Sequence, residues 1–207
     1  GGINPIHCTH ASGIYVYEND KRYMDFSSQL MNVNIGHNHP TVNNAIKEQL
    51  DKVAYVFPGM STDPRGQLGK KLAEITPGKL NKTFFCTGGA DANENAIMLA
   101  RLHTGKQKII TKYRSYHGAS YGAISAGGDP RKHPFTKNQL PGVVHIEDPY
   151  CYRCPWGQKP ESCKRECVQH LERIIQFEGP ENIAAILLEG ESGSSGCIKY
   201  PYDYWPK

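Results

Sequence analysis

Two rhythms of apolar and polar positions divide the 207 residues. In the first, Ile14-Tyr15-Val16-Tyr17 and Arg22-Tyr23-Met24-Asp25-Phe26 flank the polar Glu18-Asn19-Asp20-Lys21. Two β-rich runs about a polar turn predict a hairpin. The loop Gly36-His37-Asn38-His39-Pro40 follows, and then Val42, Ala45, Ile46, Leu50 and Val53 fall on the apolar positions of a helix. A second helix is predicted from Asp63-Pro64, a cap with proline at the first helical position, to Ile75 before Pro77-Gly78.

From residue 83 the rhythm becomes strand and helix in alternation. Thr83–Cys86 reads as a short strand, Asp91–His103 as a helix and Lys108–Thr111 as a strand. After a loop rich in Gly and Ser come a strand at Val143–Ile146, a helix over Lys164–Phe177 and the near-continuous apolar strand Ala184–Leu188. Strands apolar on both sides, alternating with helices, predict an α/β fold with a mostly parallel sheet covered on both faces. Ligands of such sheets sit beyond the carboxyl ends of the strands.

Composition narrows the classes. The chain is 38% hydrophobic and 21% charged, a globular balance. A net charge of +4 is too small and too dispersed for a nucleic-acid partner. The densest basic stretch, Lys106–Lys112, is interleaved with Ile109 and Ile110 and reads as a strand with solvated ends. No apolar run approaches the roughly 20 residues of a membrane span, and no signal-peptide pattern opens the chain. Seven cysteines, an odd number, argue against a complete disulfide framework, so a cytoplasmic protein is expected. The chain opens on Gly1-Gly2-Ile3-Asn4 and closes on the aromatic Tyr200-Pro201-Tyr202-Asp203-Tyr204-Trp205, which reads as a fragment of something longer.

Phe84–Gly105 carries the sharpest local signal: an apolar run, then Gly88-Gly89-Ala90, then a helix. A helix start presents unpaired N–H groups and partial positive charge, and glycines let the backbone approach an anion closely. A phosphate site and a plain strand–helix turn both fit. The spacing is neither GxGxxG nor Gly-Lys-Ser/Thr, so dinucleotides and nucleoside triphosphates are not favoured. Elsewhere, Cys151, Cys154, Cys163 and Cys167 give CxxC, eight residues, then CxxxC. These spacings allow a structural zinc site or an iron–sulfur cluster, two surface disulfides, or reduced thiols.

The whole string is more specific than its glycines. Gly88-Gly89-Ala90-Asp91-Ala92-Asn93-Glu94, with Ala96, Ala100-Arg101 and Thr104-Gly105, resembles the phosphate-binding segment of class III (ω-amino acid) aminotransferases, pyridoxal-phosphate enzymes of fold type I. In the family pattern Gly88 takes the place of a serine and Asp91 that of the first glutamate. "GIYVYENDKRYMDFSS" with "GHNHP" resembles the family's N-terminal hairpin and following loop. "SYHG" (Ser115–Gly118) resembles its cofactor-stacking motif, and "AAILLEG" (Ala184–Gly190) the strand ending in its buried glutamate.

The resemblance implies an N-terminal segment, 1–58, belonging to a small domain, and a partial cofactor-binding large domain, 59–207, with a Cys-rich loop at 151–167. It implies that the N–H groups of Gly89 and Ala90 hold the cofactor phosphate. Tyr116 would stack on the pyridine ring, and Glu189 would lie beside it. Asn93 and Glu94 would cap the helix, and His117 would be packing. Leu30, Met31 and Asn32 fall in the loop that lines the family's substrate pocket.

The reaction implied is transfer of an amino group from an ω-amino acid resembling taurine, β-alanine or 4-aminobutyrate to a 2-oxo acid, in a homodimer. The same motifs serve aminomutases, racemases and decarboxylases, and a cofactor-free, metal-stabilised interaction module on this scaffold is the reading from another class. The Schiff-base lysine and the aspartate that protonates the ring have no matching position here; Lys199 and Lys207 stand in the wrong context. The chain alone is therefore expected to be inactive. Where the family commonly reads Glu-Pro-x-Gln-Gly-Glu-x-Gly, this chain has Glu189-Gly190-Glu191-Ser192-Gly193-Ser194-Ser195-Gly196. Ser194 replaces a glutamate that often gates a substrate-binding arginine. This departs from the acetylornithine type and resembles the taurine branch.

Overall fold

The computed structural model describes residues 4–207, which form two compact units, one ending at Thr83 and the other spanning Phe84–Lys207. The first unit opens with a three-stranded antiparallel sheet, β1 (His10–Ser12), β2 (Tyr15–Glu18) and β3 (Lys21–Met24), in that order. The predicted hairpin is β2–β3, with Val16 opposite Tyr23 and Glu18 opposite Lys21. Asn19, at φ 53, closes the turn, a conformation that asparagine tolerates. Strand β1 is a third partner with no strong apolar alternation of its own.

A single helical turn, α1 (Ser28–Met31), is left-handed, with φ of 48 to 64. Asp25 and His37 are joined across the loops by a 2.8 Å hydrogen bond between Oδ2 and Nε2. Helices α2 (Pro40–Lys52) and α3 (Asp63–Ile75) match their predictions to within two residues, although Thr62 rather than Asp63 is the cap of α3. Neither helix buries a residue: Val42, Ile46, Leu50, Leu68 and Ile75 all stand exposed.

The second unit is built on a parallel sheet of β4 (Lys108–Lys112), β5 (Val143–Ile146) and β6 (Ile183–Ile186), in the order β5-β4-β6. Its helices are α4 (Gly89–Thr104), α5 (Tyr121–Ala126) and α6 (Glu166–Glu178). The core sits on the central strand. Ile109 packs with Ile97 of α4 and Ala126 of α5, while Ile110 and Ile146 are also fully buried. Burying each such side chain contributes about 1.5–3 kcal/mol. A second cluster joins Cys167 of α6 to Ile198, Tyr200 and Tyr204 from the aromatic C-terminal segment.

Two expectations are corrected. Thr83–Cys86 has no regular secondary structure and joins no ladder among the described residues, and Phe84 is largely exposed. An apolar run becomes a strand only where a neighbour pairs its N–H and C=O groups. Lys112 is not a solvated strand end: it is completely buried.

Candidate functional site

The carboxyl edge of the parallel sheet faces the start of α4. The first rung of that helix is Ala92 N–H to Gly88 C=O at 2.9 Å, so the N–H groups of Gly89, Ala90 and Asp91 have no partner within the helix. Thr87 turns the chain in, with its N–H and hydroxyl both donating to Asp91 Oδ2, at 3.1 and 3.2 Å. Gly88 is extended (φ −179, ψ 175), which any residue adopts, and neither Gly88 nor Gly89 has positive φ. A Cβ on either would meet nothing within 4 Å. Neither conformation nor packing therefore demands glycine here. What the pair leaves is open space where side chains would stand, next to N–H groups that the helix does not use, a turn that suits an anionic group such as a phosphate.

Ser115–Gly118 is laid across the first turn of α4. Gly118 (φ 129) comes so close to Ala90 that a Cβ would sit 2.5 Å from the alanine Cβ. Asn93 Nδ2 donates to His117 C=O at 2.7 Å and locks the approach. Glu94 serves as a cap, but for the next helix: its Oε1 accepts from Ser120 Oγ (2.6 Å), Gly122 N–H (2.6 Å) and Ala123 N–H (3.0 Å) at the start of α5. Burial pushes the Glu94 carboxyl up, and these three donors outweigh it, so that its pKa is lowered. His117 is buried with Nε2 3.2 Å from Thr111 Oγ1, and burial lowers its pKa, leaving a neutral ring.

Tyr116 projects from this loop, partly exposed, with the Arg131 guanidinium 3.8 Å from its ring centroid. Arg131 is itself clamped to Asp129. The Tyr116 N–H donates to Glu189 Oε1 at 3.2 Å, and Gly193 N–H donates to Glu189 Oε2 at 3.1 Å. Gly89, Ala90, Tyr116 and Glu189 are thus brought to one edge of one unit. Leu30, Met31 and Asn32 lie in the other unit. Leu30 and Met31 are exposed on the left-handed turn, and Asn32 Nδ2 donates to Gln29 C=O at 2.8 Å.

Sequence reading passed over Lys112, Asp148 and Ser192, which cluster behind Glu189. The only signal for Lys112 was its place directly after Ile109-Ile110-Thr111, where an exposed lysine looks equally natural. Beside Tyr116, Tyr113, Arg114, Asp129, Arg131, Ser194 and Ser195 line a cavity of about 520 Å³.

The four cysteines do converge, around a cavity of about 20 Å³. Among the described residues, however, no group of three or more His, Cys, Asp or Glu is arranged to hold a metal ion. All seven thiols are free. Cys167 belongs to the aromatic cluster, Cys163 Sγ accepts from Arg165 Nη1 at 2.6 Å, and burial pushes the Cys151 and Cys167 thiols up. Zinc, one of the alternatives that the spacing left open, is not supported.

A family profile for "Aminotransferase class-III" matches residues 2–207. This chain belongs to the class-III aminotransferase family. A leucine/methionine racemase of Thermococcus litoralis is 35% identical over 98% of this chain and 46% of its own length. A taurine:2-oxoglutarate aminotransferase from Bifidobacterium kashiwanohense, solved with PLP and glutamate, superposes with a TM-score of 0.91 at 37% identity, over 100% of this chain and 47% of its own. An (S)-enantioselective omega-transaminase from Thermomicrobium roseum gives 0.92 at 37% identity, over 98% and 47%. The chain thus spans about half the length of the relatives it matches. Its fold is that of the fold type I pyridoxal-phosphate transaminases, an α/β architecture on a parallel sheet, as the resemblance implied.

Proposed function

We propose that the whole protein is a pyridoxal-phosphate-dependent aminotransferase and that this chain carries the cofactor-holding part of it. Gly89 and Ala90 hold the phosphate through backbone N–H groups. Tyr116 lies against the ring, and Glu189 stands beside it, oriented by two N–H donors. The bound cofactor supplies an electron sink; the chain supplies binding, orientation and charge. The observation that carries this reading is the glycine turn, where nothing in the fold requires glycine and the positions a Cβ would take are open.

The substrates of this reading are an ω-amino acid donor and a 2-oxo acid acceptor. Arg114 and Arg131, with Ser194 and Ser195, line the cavity beside Tyr116 and suit the carboxylate or sulfonate end of such a donor. Leu30, Met31 and Asn32 contribute to side-chain selection, a role supported by the family loop and by left-handed backbone of the kind that clusters at functional segments. Family resemblance further supports a cytoplasmic homodimer, checked by light scattering of the full-length protein. Among the described residues no helix is long and apolar enough to cross a membrane.

Titration of the full-length protein with pyridoxal phosphate should produce a visible absorption band. Gly89→Val should raise the cofactor Kd by about tenfold or more, about 1.4 kcal/mol, with little change in the melting of the apo form. A full-length protein that shows no band at saturation overturns the reading. A donor screen with taurine, β-alanine and 4-aminobutyrate then sets the substrate. The racemase relative favours one second reading, racemisation. An L-amino acid that loses optical activity with no 2-oxo acid present would select it.

A further inference from the structure

A lysine ammonium at the end of a buried strand needs counter-charges and acceptors, because an isolated charge in the interior is too costly to keep. Lys112, at the carboxyl end of β4, has a side chain that is 1% exposed. Its Nζ donates to Arg114 C=O and to Ser192 Oγ, each at 2.5 Å. Asp148 Oδ1 lies 3.6 Å away and Glu189 Oε1 3.9 Å away. One base therefore sits between two acids, contributed by the segments that follow β5 and β6.

The two acids differ in their other supports. Asp148 is as buried as the lysine; its Oδ2 accepts from Arg114 N–H at 2.9 Å, while its Oδ1 has no hydrogen-bond partner and lies 3.6 Å from the Lys112 ammonium. Glu189 keeps both of its oxygens hydrogen-bonded to Tyr116 and Gly193 N–H groups. The other ionisable groups facing the pair are Arg114, His117, Tyr200 and Tyr204. His117 is neutral, and burial drives both tyrosines up to about 12, so neither supplies charge near neutrality. Arg114 meets Asp148 through its backbone N–H, while its guanidinium lies over the Tyr150 ring at 4.9 Å.

We propose that Lys112 is a positioning residue, the buried counter-cation shared by Asp148 and Glu189, and that it fixes where the Glu189 carboxyl group is held at the Tyr116 edge of the site. This rests on the cofactor reading of that edge. Without the ammonium, two carboxylates would share one pocket, and one of them takes up a proton.

The test uses the full-length protein. In the apo form, K112M should develop the infrared band of a protonated carboxylic acid at neutral pH, absent from the parent. In the holoenzyme, kcat should fall about tenfold with KM little changed, and the pH midpoint of the cofactor's absorption band should move. K112M/D148N, which removes the second acid with the base, should lose the carboxylic-acid band and recover kcat to within about threefold. If K112M melts earlier but shows no such band and unchanged kcat, the lysine is merely structural and the proposal falls. If K112M fails to fold while the double variant folds, the counter-charge is supported; failure of both overturns it, since the double variant leaves one hydrogen-bonded carboxylate, Glu189, and no second acid beside it. The cofactor reading fails separately, if E189Q leaves the absorption midpoint of the holoenzyme where it was. The infrared result on the apo form stands in either case.

Discussion

At the scale of single residues, glycines with the same sequence signal separate into two kinds. Gly89 opens on empty space, whereas Gly118 combines a φ of 129 with a Cβ position 2.5 Å from Ala90. Gly118→Ala should therefore destabilise by on the order of 2–4 kcal/mol, read as a lower denaturant midpoint, and on the proposed cofactor reading it should also weaken cofactor binding, because Gly118 packs directly against Ala90. Gly89→Val should change affinity with little loss of stability, so the pair separates binding from folding. Asp25 gives a pH prediction. The His37 hydrogen bond, with further donors at Gln29 and Ser27, holds its carboxyl at about 2 against an ordinary 3.8. A depressed carboxylate stabilises the fold fully above its ordinary value, and the contribution is lost as pH falls towards about 2. The melting-temperature difference between the parent and D25N should be constant above pH 4 and close between about 4 and 2; a gap that persists at the acid end rules this out.

Among the elements, α5 depends most on a residue outside itself. Six residues make a helix too short to stand alone, and Glu94 of α4 satisfies its first donors with one oxygen. E94A should cost about 1–3 kcal/mol and increase hydrogen exchange over Tyr121–Ala126 selectively. Exchange that rises evenly across the unit would speak against a local cap. This role was half legible: an acid in the first turn of a helix signals capping, but local sequence pointed to its own helix. Strands β4 and β5 were readable because each is a short apolar run that also finds a partner. Thr83–Cys86 has the same pattern and finds none among the described residues, and pairing is a long-range fact that four residues cannot encode.

For the whole molecule, apolar side chains remain uncovered on α2 and α3, and Phe84 and Phe177 are largely exposed as well. Contiguous exposed apolar surface binds hydrophobic dyes. The 207-residue chain in isolation should bind such a dye strongly, and the full-length protein should bind far less; equal binding would show that the added chain covers none of these faces. The sequence by itself determined the alternation of strand and helix, the hairpin, the glycine turn and the motifs at Tyr116 and Glu189, because periodicity, turn chemistry and short motifs are local. Only the tertiary structure decided that Lys112 is interior and lies between two acids, that Glu94 caps a neighbour, and that four cysteines surround a cavity without a metal-holding arrangement. Burial and charge pairing depend on which segments fold against one another, and residues 70 to 80 positions apart, such as Lys112, Glu189 and Ser192, meet only when parallel strands bring their carboxyl ends to one edge.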